Sequence, residues 1–101
     1  MNPRFHSIYR IVRRIPSGKV LSYGDVGELA GTGPRQVAAA MRASPGGIPW
    51  HRVVGAGGKI VTPGETAWDQ RDRLMTEGIR FRGRSFPYPV YRWRAAKNGK
   101  R

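Results

Sequence analysis

Few side chains in this 101-residue sequence could do chemistry. Cysteine is absent, and two histidines, His6 and His51, cannot make a metal site alone. No serine stands in a nucleophile-elbow context, and Asp69-x-x-Asp72 reads as solvated helix surface rather than a catalytic pair. These absences argue for a non-enzymatic protein with no cofactor and no metal. What stands out instead is an aromatic residue that hydrophobicity alone gives little reason to place. Pro49-Trp50-His51-Arg52-Val53 follows the turn-forming run Ser44-Pro45-Gly46-Gly47-Ile48, so Trp50 is a large flat ring at the end of a loop. It reads as the floor of a binding site, with a core tryptophan as the plain alternative.

Charge names the class of partner. Nineteen Lys and Arg against six Asp and Glu give a net charge of +13, which points to a polyanion. No acidic residue lies between Glu28 and Glu65 or after Glu77. Charge alone does not choose among kinds of nucleic acid, since ribosomal and nucleoid proteins share this composition. With 39% apolar residues and no run near the roughly 20 residues of a membrane span, the expectation is a monomer with no membrane partner, cytoplasmic and nucleoid-associated. A single domain is expected over 1–94, followed by a basic, disordered tail over 95–101.

The elements that must position the Trp50 loop follow from spacing. Phe5, Ile8, Val12 and Ile15 share one face of a first helix, which Pro16 ends. Ser22 caps a second helix with Asp25 three residues on, and Gly31 terminates it. Thr32 or Gly33 caps a third, with Pro34 in its first turn, running to about Ala43. Two short helices joined by a Gly-containing turn make a helix-turn-helix. At 100° per residue Val37, Ala40 and Met41 take the core side of the third helix. Arg35, Ala38, Ala39 and Arg42 take the other, where small residues allow close approach and guanidiniums meet phosphates. A solvated face is the plain alternative.

Beyond the loop, Val53-Val54 and Lys59-Ile60-Val61 bracket Gly55-Ala56-Gly57-Gly58 as a β-hairpin or wing. Glu65 through Glu77 reads as a helix with Leu74 and Met75 toward the core. The proline-rich run Phe86 to Trp93 reads as an extended segment laid against the body. The fold class is α/β, mainly α: a winged helix-turn-helix.

From about Phe5 to Ile79 the chain resembles the O6-alkylguanine-DNA alkyltransferases. Ile15-Pro16-Ser17-Gly18-Lys19-Val20 and Ser22-Tyr23-Gly24-Asp25-Val26 look like two of their segments. Pro34 through Arg42 looks like their recognition helix, and Pro49-Trp50-His51-Arg52-Val53-Val54 like their active-site loop, with Trp50 at the nucleophilic cysteine. Glu77-Gly78 ends the next helix as theirs does. A tryptophan in place of that cysteine is the hallmark of the alkyltransferase-like proteins.

The resemblance implies a damage sensor that enters the minor groove of double-stranded DNA and flips O6-alkylguanine into a pocket. The complex is then flagged for nucleotide excision repair proteins. Arg35 matches the finger that fills the vacated stack, and Tyr23 the tyrosine that turns the target phosphate. A helix-start aromatic packed on the core is the alternative for Tyr23. Trp50, Pro63, Gly64 and Tyr23 are the implied pocket, with Val53 and Val54 lining it or supporting it. His51, Glu77 and Ser44 support the loop, since without a thiol there is nothing for His51 and Glu77 to activate. Thr32, Gln36, Ala38, Ala39, Arg42 and Arg52 are the implied DNA contacts. Pro63-Gly64 stands where the alkyltransferases carry Tyr-Ser, implying a roomier pocket that reads O6 less directly, through Thr62 or Thr66. Ser44 replaces an asparagine that ties the loop to the tyrosine, implying a looser or water-mediated tie. A general architectural or regulatory winged-helix DNA binder without base flipping is the alternative function. A hydrolase in which His51 activates water ranks behind both.

Overall fold

The computed structural model describes residues 5–94. The basic tail expected over 95–101 lies outside the described residues. Helix α1 (His6–Arg14) buries Ile8, Tyr9 and Val12 and is flanked by buried Phe5 and Ile15, as their spacing requires. Leu21–Ser22 forms strand β1, and Ser22 then caps α2 (Tyr23–Ala30), its Oγ accepting from the Asp25 N–H at 3.0 Å. Gly31 ends α2 with φ 76°, a left-handed conformation that glycine adopts without penalty. Gly33 caps α3 (Pro34–Arg42), with Pro34 in its first turn where a missing N–H costs nothing. The turn is tight: a Cβ on Gly27 would come within 2.8 Å of the Thr32 carbonyl oxygen.

One core cluster joins α1, α2 and α3 through residues such as Ile8, Val12, Val26, Val37 and Ala40. The buried Tyr9 hydroxyl donates to the Ala40 carbonyl at 2.8 Å, fastening α1 to α3. A second cluster, of Val20, Val54, Leu74, Ile79 and Phe86, packs α4 (Gly64–Thr76) and the C-terminal segment onto the strands.

The fold is α/β and mainly helical, but four details correct the sequence reading. Val53–Val54 (β2) pairs parallel with β1, Leu21 opposite Val53 and Ser22 opposite Val54, rather than with Lys59-Ile60-Val61. All four strand residues are buried, and pairing them with each other serves both clusters. The wing shrinks to a 3-10 turn, Ala56–Gly58, closed by the Gly55 N–H donating to the Lys59 carbonyl at 2.7 Å. Gly57 and Gly58 at positive φ wind the chain so that Lys59 bridges to Ser85.

The segment after Phe86 is likewise not wholly extended. Pro87 and Pro89, whose fixed φ suits a first helical turn, start a short helix α5 (Tyr88–Tyr91). Arg92 then bridges Val20 in parallel register. Finally, Leu74 is buried but Met75 is exposed.

Candidate nucleic-acid interface

Trp50 begins a single 3-10 turn, Trp50–Arg52, between the Pro-Gly loop and β2. It is half-buried and lines a cleft of about 630 Å³. From α2 and α3 come Tyr23, Ala38, Met41 and Arg42, and the loop adds Ser44. The other wall is Val61, Thr62, Pro63 and, from α4, Thr66. Trp50 also borders a second hollow of about 440 Å³ under the Ser44–Pro49 loop. The Arg73 guanidinium, on α4, sits 5.7 Å from the indole centroid in a cation–π contact. The residue read from the sequence as a floor is an indole set between the helix-turn-helix and the start of α4.

Below the floor lies a polar knot. His51 Nε2 is 2.8 Å from Glu77 Oε2, and the Gly18 N–H donates to Glu77 Oε1 at 3.1 Å. Arg52 donates from Nε to both carboxylate oxygens at 3.1 Å, from Nη2 to Oε2 at 2.7 Å and from Nη1 to the Ile15 carbonyl at 2.9 Å. Burial works to raise the Glu77 pKa, but the bonds from Arg52, His51 and Gly18 outweigh it and lower the carboxyl from 4.5 to about 2. His51 Nδ1 is buried without a hydrogen-bond partner among the described residues. The knot joins the Trp50 turn, the end of α4 and the segment after α1.

Several implied site residues stand elsewhere than expected. Arg52, implied as a DNA contact, is engaged internally on Glu77 and Ile15, because a guanidinium fork matches a carboxylate better than solvent does. Of their two implied places Val53 and Val54 take the supporting one and do not line the cleft: both are fully buried, one in each core cluster. Gly64 lines a separate hollow of about 330 Å³ with Trp68, Arg71 and Arg84. Ser44 borders the cleft, but its Oγ donates to the neighbouring Pro45 carbonyl at 3.1 Å rather than to Tyr23.

The remaining residues fall where the helices put them. Arg35, Gln36 and Arg42 are exposed on α3, Thr32 is half-buried in the turn, and Ala39 is half-buried against the core. Tyr23 packs on the core cluster, as its plain alternative had it, and also lines the cleft. Burial raises its pKa and Arg42 partly offsets the rise, so its phenol keeps a proton at neutral pH.

Four contributors escaped the sequence reading. Met41 was assigned to the core and reaches the cleft, while Val61 was read only as part of a wing strand. Arg73 pairs with Asp69 at 3.0 Å and looked like ordinary helix surface. Gln70 is 1% exposed, and its one signal was a polar side chain one helical turn before Leu74 on the buried face of α4.

Comparison with known proteins decides the ancestry. Residues 3–79 match the family model described as 6-O-methylguanine DNA methyltransferase, DNA binding domain. The chain belongs to this family. It is 40% identical over 91 residues to a DNA base-flipping protein of Escherichia coli, covering 85% of the chain and 70% of that relative. It is 36% identical over 85 residues to alkyltransferase-like protein 1 of Schizosaccharomyces pombe, covering 78% and 79%. The crystal structure of S. pombe Atl1 in complex with damaged DNA containing O6-carboxymethylguanine superposes with a TM-score of 0.84 at 30% identity, covering 94% of this chain and 98% of that one. Within the family, Trp50 at the cysteine position makes this an alkyltransferase-like member of winged helix-turn-helix fold.

Proposed function

We propose that the protein binds duplex DNA containing O6-alkylguanine from the minor groove, extrudes the damaged base into the Trp50 cleft and holds it without reacting. The observation that carries this is the half-buried indole on the floor of a 630 Å³ cleft bordered by Tyr23, Arg42 and Pro63. A methyl-accepting member needs a thiolate there, and an indole carbon is no nucleophile toward an alkyl group at neutral pH. An apolar plate serves binding instead, since a stacked base is worth ~1–3 kcal/mol and an alkyl group gains apolar contact. An O6-alkylated guanine pairs badly, so extruding it costs less than extruding an intact base. Arg35, exposed in the first turn of α3, is the residue that enters the gap left in the stack.

With no reaction of its own, the protein acts as a monomer on the nucleoid and leaves the marked site to nucleotide excision repair. Binding of O6-methylguanine, larger O6-adduct and plain duplexes, read by tryptophan fluorescence, tests the reading. Tighter binding to both adducts is expected, and equal affinity for all three would remove lesion recognition. Incubation with methyl-labelled DNA is expected to give neither transfer to protein nor released methanol.

A further inference from the structure

Gln70 lies on the buried face of α4 and spends its amide on two different parts of the cleft. Its Nε2 donates to the carbonyls of His51 at 3.1 Å and Val53 at 2.9 Å, in the segment that carries Trp50. Its Oε1 accepts from Thr62 Oγ1 at 2.9 Å, on the other wall. The amide orientation is forced, because two carbonyls can only accept and the NH2 must face them. Oε1 therefore faces Thr62, and the Thr62 hydroxyl must be the donor. That proton points inward, so Thr62 cannot donate to the ether oxygen of an alkylated guanine. Thr66 is the hydroxyl of that wall left to read O6, and Thr62 is left to hold the wall.

We propose that Gln70 is a positioning residue which, through Thr62, fixes the distance between the Trp50 loop and the Val61–Pro63 wall and so makes the cleft select O6-alkyl groups by size. This rests on the lesion-binding reading above. Val61, Thr62 and Pro63 belong to no helix or strand, whereas Gln70 stands in the middle of α4, so the strap transfers the rigidity of a helix to a loop. A wall held at a set distance touches a small alkyl group. A wall set free retreats from a small group but still closes on a large one, which fills the cleft in either case. Fixing the wall in advance also spares the ordering cost that a loose loop would incur on binding.

The test uses Thr62→Val, nearly isosteric but without the donor, and Thr62→Ser, which keeps it. Dissociation constants are measured for duplexes bearing O6-methylguanine, O6-benzylguanine or plain guanine. Thr62→Val should weaken O6-methylguanine binding about tenfold while changing O6-benzylguanine binding less than about twofold, and Thr62→Ser should restore the wild-type ratio. Equal losses on both adducts, no loss on either, or failure of the serine to restore the ratio would overturn the proposal. Backbone relaxation of the free protein reads the strap without DNA: Val61 and Thr62 amides should be as ordered as α4 in wild type and Thr62→Ser, and drop below an order parameter of ~0.6 in Thr62→Val. Unchanged order in Thr62→Val would sink the strap whatever the protein binds. A wild type that fails to prefer lesions would sink the functional reading while the relaxation result still judges the strap.

Discussion

Arg52 and Glu77 form a two-pronged ion pair beneath the Trp50 turn, with Nη2 2.7 Å from Oε2 and Nε 3.1 Å from each carboxylate oxygen. Both side chains are largely buried, so removing one leaves the other charge poorly compensated. Arg52→Ala should therefore destabilise the fold by roughly 3 kcal/mol in urea unfolding. Because Arg52 is held inside the protein, the salt dependence of DNA binding should keep its slope, whereas loss of a phosphate contact would lower it by ~1. A lowered slope with unchanged stability would return Arg52 to the DNA surface.

The same knot fixes a pH dependence. Glu77 has its pKa lowered from 4.5 to about 2 in the fold, so the folded state holds its carboxylate more readily than the unfolded chain does. Its stabilising contribution is complete above pH 4.5 and lost as the pH falls toward 2. The stability gap between wild type and Glu77→Gln, followed by denaturant unfolding at a series of pH values, should be constant near neutrality and shrink across that window. A gap that widened on acidification would show that the carboxyl is held protonated.

Arg35 and Arg42 should separate two kinds of DNA contact. Both are exposed at opposite ends of α3, but Arg42 lines the cleft beside Tyr23 and Arg35 stands in the first turn. Arg35→Ala should lose more affinity for O6-methylguanine duplex than for plain duplex. Arg42→Ala should weaken both, with a salt slope reduced by ~1. Equal losses on Arg35→Ala would favour an architectural DNA binder that does not flip bases.

The helix-turn-helix was legible because its signals are local. Ser22 three residues before Asp25, Gly31, Pro34 and the spacing of Val37 and Ala40 each fix a boundary or a face without distant partners. The place of Trp50 at the end of a loop was legible because proline and glycine set it there. The family resemblance implied one long-range partnership, His51 with Glu77, but others across long separations went unseen. Val53 could as well have paired with the residues after the glycine run, and its choice of Leu21 rests on burial of both strands. Arg52 looked like one more cation in a basic chain until Glu77, 25 residues on, was brought beside it. Gln70 gave little sign because a glutamine suits an exposed helix, and its value comes from three partners gathered by the fold.

Trp50→Ala should cost lesion affinity about tenfold, in line with loss of a stacking surface, while plain-duplex affinity holds within about twofold. Arg73 loses its aromatic partner in this variant, and its pairing with Asp69 remains to hold it. Parallel losses on lesion and plain DNA would make Trp50 a structural residue.

The central claim is that an O6-alkylated guanine leaves the helix and comes to rest on Trp50. A crystal structure of the protein with a duplex containing one O6-methylguanine tests it most directly. The account predicts the damaged base outside the stack, its ring or methyl group within van der Waals contact of the indole, and Arg35 in the space it left. An O6-methylguanine still stacked within the duplex, with the Trp50 cleft holding no base, would contradict it.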